Sequence, residues 1–91
     1  MNSELKFEWD AQKAASNEKK HGVSFALAMD VFADLNLIEW MDESRDERRW
    51  ITLGLADSRE LYVVYTSRLG RIRLISARKA TRYERKVYWN R

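Results

Sequence analysis

The chain contains no cysteine and no proline, only three glycines, and a single histidine among its 91 residues. Without cysteine a disulfide framework is excluded, and a zinc site would need one His plus carboxylates, an unusual ligand set. No metal or other cofactor is therefore expected. Long apolar runs are also missing: the longest, Leu61 to Tyr65, is far short of the roughly 20 residues a membrane-spanning helix needs. Met1 to Phe7 lacks the apolar stretch of a signal peptide. A cytoplasmic protein with no membrane partner is expected.

What is present argues for a packed domain. Hydrophobic residues make up 45% of the chain, including four Trp, four Tyr and three Phe, too apolar for a disordered tail. The length fits one domain over residues 1–91 and leaves no room for a second core. A domain this small buries only about 60% of the surface its unfolded chain exposes, so binding a second chain adds to its stability.

The net charge of +3 hides an asymmetry. Residues 1–60 carry 8 Lys or Arg against 13 Asp or Glu, a net of −5, whereas residues 61–91 carry 9 against 1, a net of +8. Such segregation points to a surface that faces a polyanion, because a merely soluble protein intersperses its signs. The competing reading is a basic surface that is solvated or faces a protein partner.

Periodicity places the elements. Leu5, Phe7 and Trp9 alternate with Lys6 and Glu8, the period-two pattern of a short strand. Asp10 is a good N-cap for a helix of strong formers from Ala11 to Lys20, which Gly22 ends. Ser24 caps a second helix whose Phe25, Ala28, Met29 and Phe32 form an apolar stripe. Strands follow at Leu37 to Met41, Arg48 to Leu55, Leu61 to Thr66 and Arg71 to Ala77, with Asp42 to Glu47 as a flexible tip. Ile51, Leu53 and Leu55 share one face of their strand, and Arg48, Trp50 and Thr52 the other. Thr81 and Glu84 form a capping box before a last helix running to about Asn90. The order β-α-α-β-β-β-β-α predicts an α+β fold, an antiparallel sheet with helices packed on one face.

Several residues suit phosphate chemistry. His21 ends the first helix behind Lys19 and Lys20, where the helix dipole favours its protonated form and it could exchange a proton; simple C-capping by cations explains it as well. Lys13, Asn17 and Lys20 share its helical face. Arg71 and Arg73 project from one side of the last strand, followed by Arg78, Lys79 and Arg82. Guanidinium binds two phosphate oxygens at once and stays charged, although Arg73 or Arg78 could instead pair with Glu47, Glu84 or another acid. Arg48 beside Glu47, with Tyr62 or Tyr65 on the neighbouring strand, completes the types that metal-free RNA cleavage requires. The aromatics could also stack bases, though core packing accounts for most of them.

These residues resemble the BrnT family of type II toxin–antitoxin ribonuclease toxins along nearly the whole chain. The likeness starts at Phe7-Glu8-Trp9-Asp10 and runs through Lys13, Asn17 and Lys20-His21-Gly22-Val23-Ser24-Phe25 to Ala28 and Val31-Phe32-Ala33-Asp34. It resumes at Asp46-Glu47-Arg48-Arg49 and Ile51-Thr52-Leu53-Gly54, then Arg73-Leu74-Ile75-Ser76-Ala77-Arg78-Lys79-Ala80-Thr81-Arg82-Tyr83-Glu84-Arg85. Ala11 departs from it, since a proline commonly follows Trp-Asp there and presets the first helical turn. The resemblance implies a RelE-like fold and RNA cleavage that halts translation. It also implies neutralisation by BrnA, a ribbon-helix-helix antitoxin through which the pair reaches operator DNA.

Carried over to the polar positions of the matched blocks, the resemblance nominates His21, Arg48, Arg73 and Arg78 as catalytic. Behind them the resemblance places Lys20, Glu47 and Glu84; the basic-surface reading adds Arg71, Lys79 and Arg82 to Lys20 as RNA-phosphate binders, and Tyr65 joins Glu47 and Glu84 as acid–base or structural groups. The expected surface is the sheet face together with the start of the last helix, holding single-stranded RNA. The alternatives are a non-catalytic basic binding module, or an inactive toxin homologue serving as a co-repressor subunit.

Overall fold

The computed structural model describes residues 5–44 and 46–90. Met1 to Glu4, Arg45 and Arg91 lie outside them, and with Arg45 part of the expected flexible tip. The elements are β1 (Phe7–Glu8), α1 (Ala11–His21), α2 (Phe25–Ala28) running into a 3-10 turn (Met29–Ala33), β2 (Ile38–Asp42), β3 (Arg49–Ala56), β4 (Arg59–Arg68), β5 (Arg71–Lys79) and α3 (Arg82–Trp89). This is the order read from the sequence. No helix among the described residues is long and apolar enough to cross a membrane.

Local chemistry sets the element ends. The Asp10 carboxylate accepts the backbone N–H groups of Gln12 and Lys13 at 2.8 and 3.2 Å, starting α1, and Gly22 ends it in the left-handed region at φ 71°. Thr81 and Glu84 form the anticipated reciprocal cap on α3. The apolar stripe of the second helix tightens into a 3-10 turn after Ala28. Strands β4 and β5 are longer than their apolar cores predict. Asp57 and Ser58, both at positive φ, make a two-residue turn that lets pairing begin at Arg59.

The five strands lie in the order β1-β5-β4-β3-β2. One correction concerns strand direction: β1 runs parallel to β5, so the sheet is mixed and only β2 to β5 form an antiparallel meander. A second concerns the helices, which do not share one face. Leu61, Val63, Leu74 and Ala77 point to the first face, where they pack with Phe25, Ala28 and Val31 from α2 and the turn after it. Leu53 and Tyr62, directly paired across β3 and β4, point to the second face, where Ala80 and Tyr88 of the α3 segment cover them. Strand β3 is therefore buried on both sides at its centre, and the alternation that marked one face as core was only half of the pattern.

Two side chains close open sheet edges. Asn17 of α1 is buried beside the part of β5 that β1 is too short to reach; its Nδ2 donates to the Ala77 and Val23 carbonyls at 2.8 and 3.0 Å, and its Oδ1 accepts the Ala77 N–H at 3.1 Å. Asp34 does the same for β3 beyond the end of β2. Its Oδ2 accepts the Leu55 N–H at 2.8 Å and the Tyr88 hydroxyl at 2.5 Å.

Candidate active site

Helix α3 covers only one end of the second sheet face, and the uncovered remainder carries the cations. Arg73 and Arg78 both lie on it, although a spacing of five residues should put them on opposite sides of a period-two strand. The register explains this. Val64 pairs with Ser76 but Tyr65 pairs with Leu74, leaving Ile75 as an extra residue in a β-bulge. The bulge restores phase, so Arg73 opposite Thr66 and Arg78 opposite Tyr62 emerge on one face, while Leu74 and Ala77 both enter the first core.

At the open end of this face Arg73, Arg49, Arg68 and Lys13 line a cleft of about 320 Å3 together with Glu47, Thr66, Ser67 and Ile75. Arg73 pairs with Glu8 of the adjacent β1 at 3.2 Å, and Arg49 donates from Nε to Glu47 at 2.8 Å and through Nη2 to the same oxygen. Among the described residues Lys13 and Arg68 are in no ion pair. The excess positive charge reaches Asp10, whose carboxyl is held below the usual range by the Lys13 and Gln12 N–H groups, with the charges of Lys13 and Arg73 adding to them. A second cleft adjoins the first through Lys13 and Ile75. His21 and Lys20 line it with Gln12, Ser16 and Ser76.

Arg78 sits closer to α3. Its two terminal nitrogens donate to the two Glu84 oxygens at 2.8 and 2.9 Å, and its guanidinium carbon lies 3.8 Å from the Tyr62 ring centroid. Partial burial pushes the Glu84 carboxyl up, but the Arg78 hydrogen bonds and the Thr81 N–H outweigh it and leave it below its ordinary value. Burial raises the Tyr62 hydroxyl, with Arg78 opposing. Exposed ion pairs contribute about 0–1 kcal/mol, so at roughly a third exposure for both arginines these pairs fix orientation more than they stabilise the fold.

The candidates predicted from sequence thus divide. Arg73 and Glu47 meet in the first cleft, His21 and Lys20 in the second, and Arg78 with Glu84 beside α3. Arg48 lies just before β3 with its side chain exposed, and gives its carbonyl to the Thr66 hydroxyl at 2.8 Å; its neighbour Arg49 is the residue in the cleft. Tyr65 points to the first face, where its hydroxyl donates to Glu39 at 2.6 Å and burial, with that carboxylate, raises its pKa far above the ordinary value. The tyrosine on the cationic face is Tyr62. Arg71 is exposed at the β4–β5 turn, and Lys79 and Arg82 line separate hollows around α3, away from Arg73. Asn17, on a helical face expected either to cradle a phosphate or to be solvated, is buried and spends its amide on the backbone. Among the described residues no group of three His, Cys, Asp or Glu side chains is placed to share a metal ion.

Sequence reasoning missed Arg49 and Glu8. The alternation through Ile51, Leu53 and Leu55 does put Arg49 on their face, but that face reads as pure core until α3 is seen to cover only part of it.

No curated protein matches this chain. Residues 9–84 match the family described as ribonuclease toxin, BrnT, of type II toxin-antitoxin system. That span contains every cation of both clefts, the bulge in β5, and Arg78 with Glu84, so the chain belongs to the BrnT family of ribonuclease toxins of type II toxin–antitoxin systems.

Proposed function

We propose that this protein is an endoribonuclease that cleaves RNA without a metal, at the cleft formed by Lys13, Arg49, Arg68 and Arg73. The observation that carries the reading is the convergence of four cations from α1, β3, β4 and β5 on one open sheet face, with the Glu47 carboxylate lining the same cleft. In the proposed step the ribose 2′-oxygen attacks the adjacent phosphorus and the bond to the 5′-oxygen breaks, leaving a 2′,3′-cyclic phosphate and a free 5′-hydroxyl. Glu47 takes the proton leaving the 2′-oxygen, His21 from the adjoining cleft returns one to the 5′-oxygen, and Arg49 and Arg73 hold the charge that builds on the phosphate. The carboxylates paired with these arginines hold their planes in place before substrate arrives.

The wider role follows the family. Cleavage halts translation in the cytoplasm, and the fold is of the RelE-like kind. The antitoxin partner that a type II system carries is a BrnA-like ribbon-helix-helix protein, through which the pair contacts operator DNA. Arg82, Arg85 and Lys86 on α3 offer that partner's acidic residues a basic surface separate from the cleft.

Purified protein incubated with total RNA tests the chemistry. Loss of one donor to a developing oxyanion typically costs about 10²–10³ in rate, and Arg49→Ala and Arg73→Ala are each expected to lose that much. The products should carry cyclic phosphate ends. Equal cleavage by wild type and a variant carrying both Arg49→Ala and Arg73→Ala, both proteins folded, would remove the cleft from consideration. Binding of RNA with no cleavage by the wild type would favour a non-catalytic basic module or an inactive homologue acting as co-repressor.

A further inference from the structure

Arg78 does not behave like a phosphate ligand. Both outer nitrogens are committed to Glu84, and Nη1 also donates to the Lys79 carbonyl at 3.1 Å, so the in-plane donors that would grip a phosphate are largely used. What remains available is the flat face of the group. One side lies on the Tyr62 ring and the Glu84 fork fixes the plane, while the side chain stays 32% exposed. Trp40 stands next to this stack, its ring edge-on to Tyr62 at 6.3 Å and 71°. It is 38% exposed on the edge strand β2, on the same open face, although an indole of this size gains more from burial. The Arg78 guanidinium lies over the Tyr62 ring and is held by the Glu84 fork, and the exposed Trp40 indole stands edge-on to Tyr62, so a fixed cationic plane has an aromatic group beside it.

Resting on the reading of this face as an RNA surface, we propose that Arg78, Tyr62 and Trp40 form a nucleobase site. It stacks a base of single-stranded RNA whose backbone lies in the Lys13, Arg49 and Arg73 cleft. A base in a duplex keeps both faces covered by its neighbours, so this site selects unpaired RNA, and it does so through the π-face that every base has. Arg78 is then a binding residue for the base, and the charge stabilisation at phosphorus belongs to Arg49 and Arg73. The separation of roles follows from pairing geometry: Arg78 is tied in-plane at both ends of its fork, whereas the Arg73–Glu8 contact is a single 3.2 Å bond that leaves other donors open.

The test uses the whole protein and two short 2′-O-methyl RNA probes that resist cleavage, one with bases and one abasic along its length. Stacking of a base on an aromatic group is typically worth about 5- to 150-fold in affinity, so the wild type should prefer the base-carrying probe by at least about 10-fold. Trp40→Ala and Arg78→Lys should each bring the ratio of the two affinities towards one, and Trp40→Phe should keep most of it. Arg49→Ala and Arg73→Ala should weaken both probes together and preserve the ratio. Because Arg78→Lys also loosens α3, the tryptophan variants decide if that protein melts early. An unchanged ratio in Trp40→Ala, or no preference in the wild type, overturns the base site while leaving the cleft intact. Failure of the wild type to bind either probe overturns both readings.

Discussion

Asn17 looks like a site residue and is expected to act as a structural one, and substitution separates the two. Its side chain makes three hydrogen bonds to buried backbone: to the Val23 carbonyl, the Ala77 carbonyl and the Ala77 N–H. Ala77 is fully buried. Each of the three backbone groups left buried and unpaired costs about 1–3 kcal/mol, falling to about the 0.5–1.5 kcal/mol net worth of the bond where water replaces the amide. Asn17→Leu, which fills the space and shuts water out, is expected to lose about 4–6 kcal/mol, and Asn17→Ala, which can admit a water, about 2–4 kcal/mol. Against a total of about 5–15 kcal/mol for a small domain, the leucine variant should be close to unfolded at ordinary temperature.

Urea denaturation of the wild type and both variants measures this, with circular dichroism and tryptophan fluorescence as independent probes of one transition. The ordering matters more than the absolute values, since a bland packing position would tolerate leucine better than alanine. Asn17→Asp adds a pH signature. The aspartate can still accept from Ala77 N–H but faces two carbonyls, which raises its folded-state pKa; stability is then present below the unfolded value of about 4 and lost as pH rises through the folded value. If Asn17→Leu melts within about 1 kcal/mol of wild type yet no longer cleaves RNA, Asn17 belongs to the chemistry and the edge-closing account is wrong.

Three further outcomes follow from single contacts. Because Glu84 has its folded-state pKa lowered, its stabilisation is present above the unfolded value of 4.5 and lost as pH falls below it; Glu84→Gln should melt lower at neutral pH and show a shallower decline in acid. Gly54 of β3 faces the turn after α2 so closely that an added Cβ would lie 2.7 Å from Val31 Cγ1 and 3.3 Å from the Val31 carbonyl oxygen. Gly54→Ala should therefore destabilise by about 1–3 kcal/mol in denaturant titration, and a neutral result would show that the turn can retreat. Tyr65→Phe should retain RNA cleavage and lose about 1–2 kcal/mol, the worth of a hydrogen bond to a carboxylate, whereas abolished cleavage in a stable variant would restore Tyr65 to the site.

The parts of the fold that were legible in the sequence are those set by short-range chemistry. Asp10, Gly22, Ser24 and the Thr81–Glu84 box each act within a few residues of themselves, so their residue types were enough to place the helix ends. Less legible was anything decided by a distant partner. The parallel pairing of β1 with β5 joins residues 65 apart, such as Phe7 and Ile72, and periodicity carries no information about it. The face chosen by α3 depends on a two-sided burial of β3 that a single alternating pattern cannot express. Charge segregation marked out the basic carboxy-terminal third, and the family likeness put Arg48 forward; that Arg49 and not Arg48 lines the cleft depends on which strand face α3 leaves open, which adjacent residues in a matched block do not show.

The bulge at Ile75 gives this limit its sharpest form. Read by alternation, Arg73 and Arg78 fall on opposite faces. Read by register, they share a face, and the extra residue between them lines both clefts. The odd spacing would also have been wrong for the core, since Leu74 and Ala77 are three apart and both are buried on the first face. A regular strand would therefore have exposed one of them to put the other inside. One irregularity buries Leu74 and Ala77 on the first face and brings Arg73 and Arg78 together on the second.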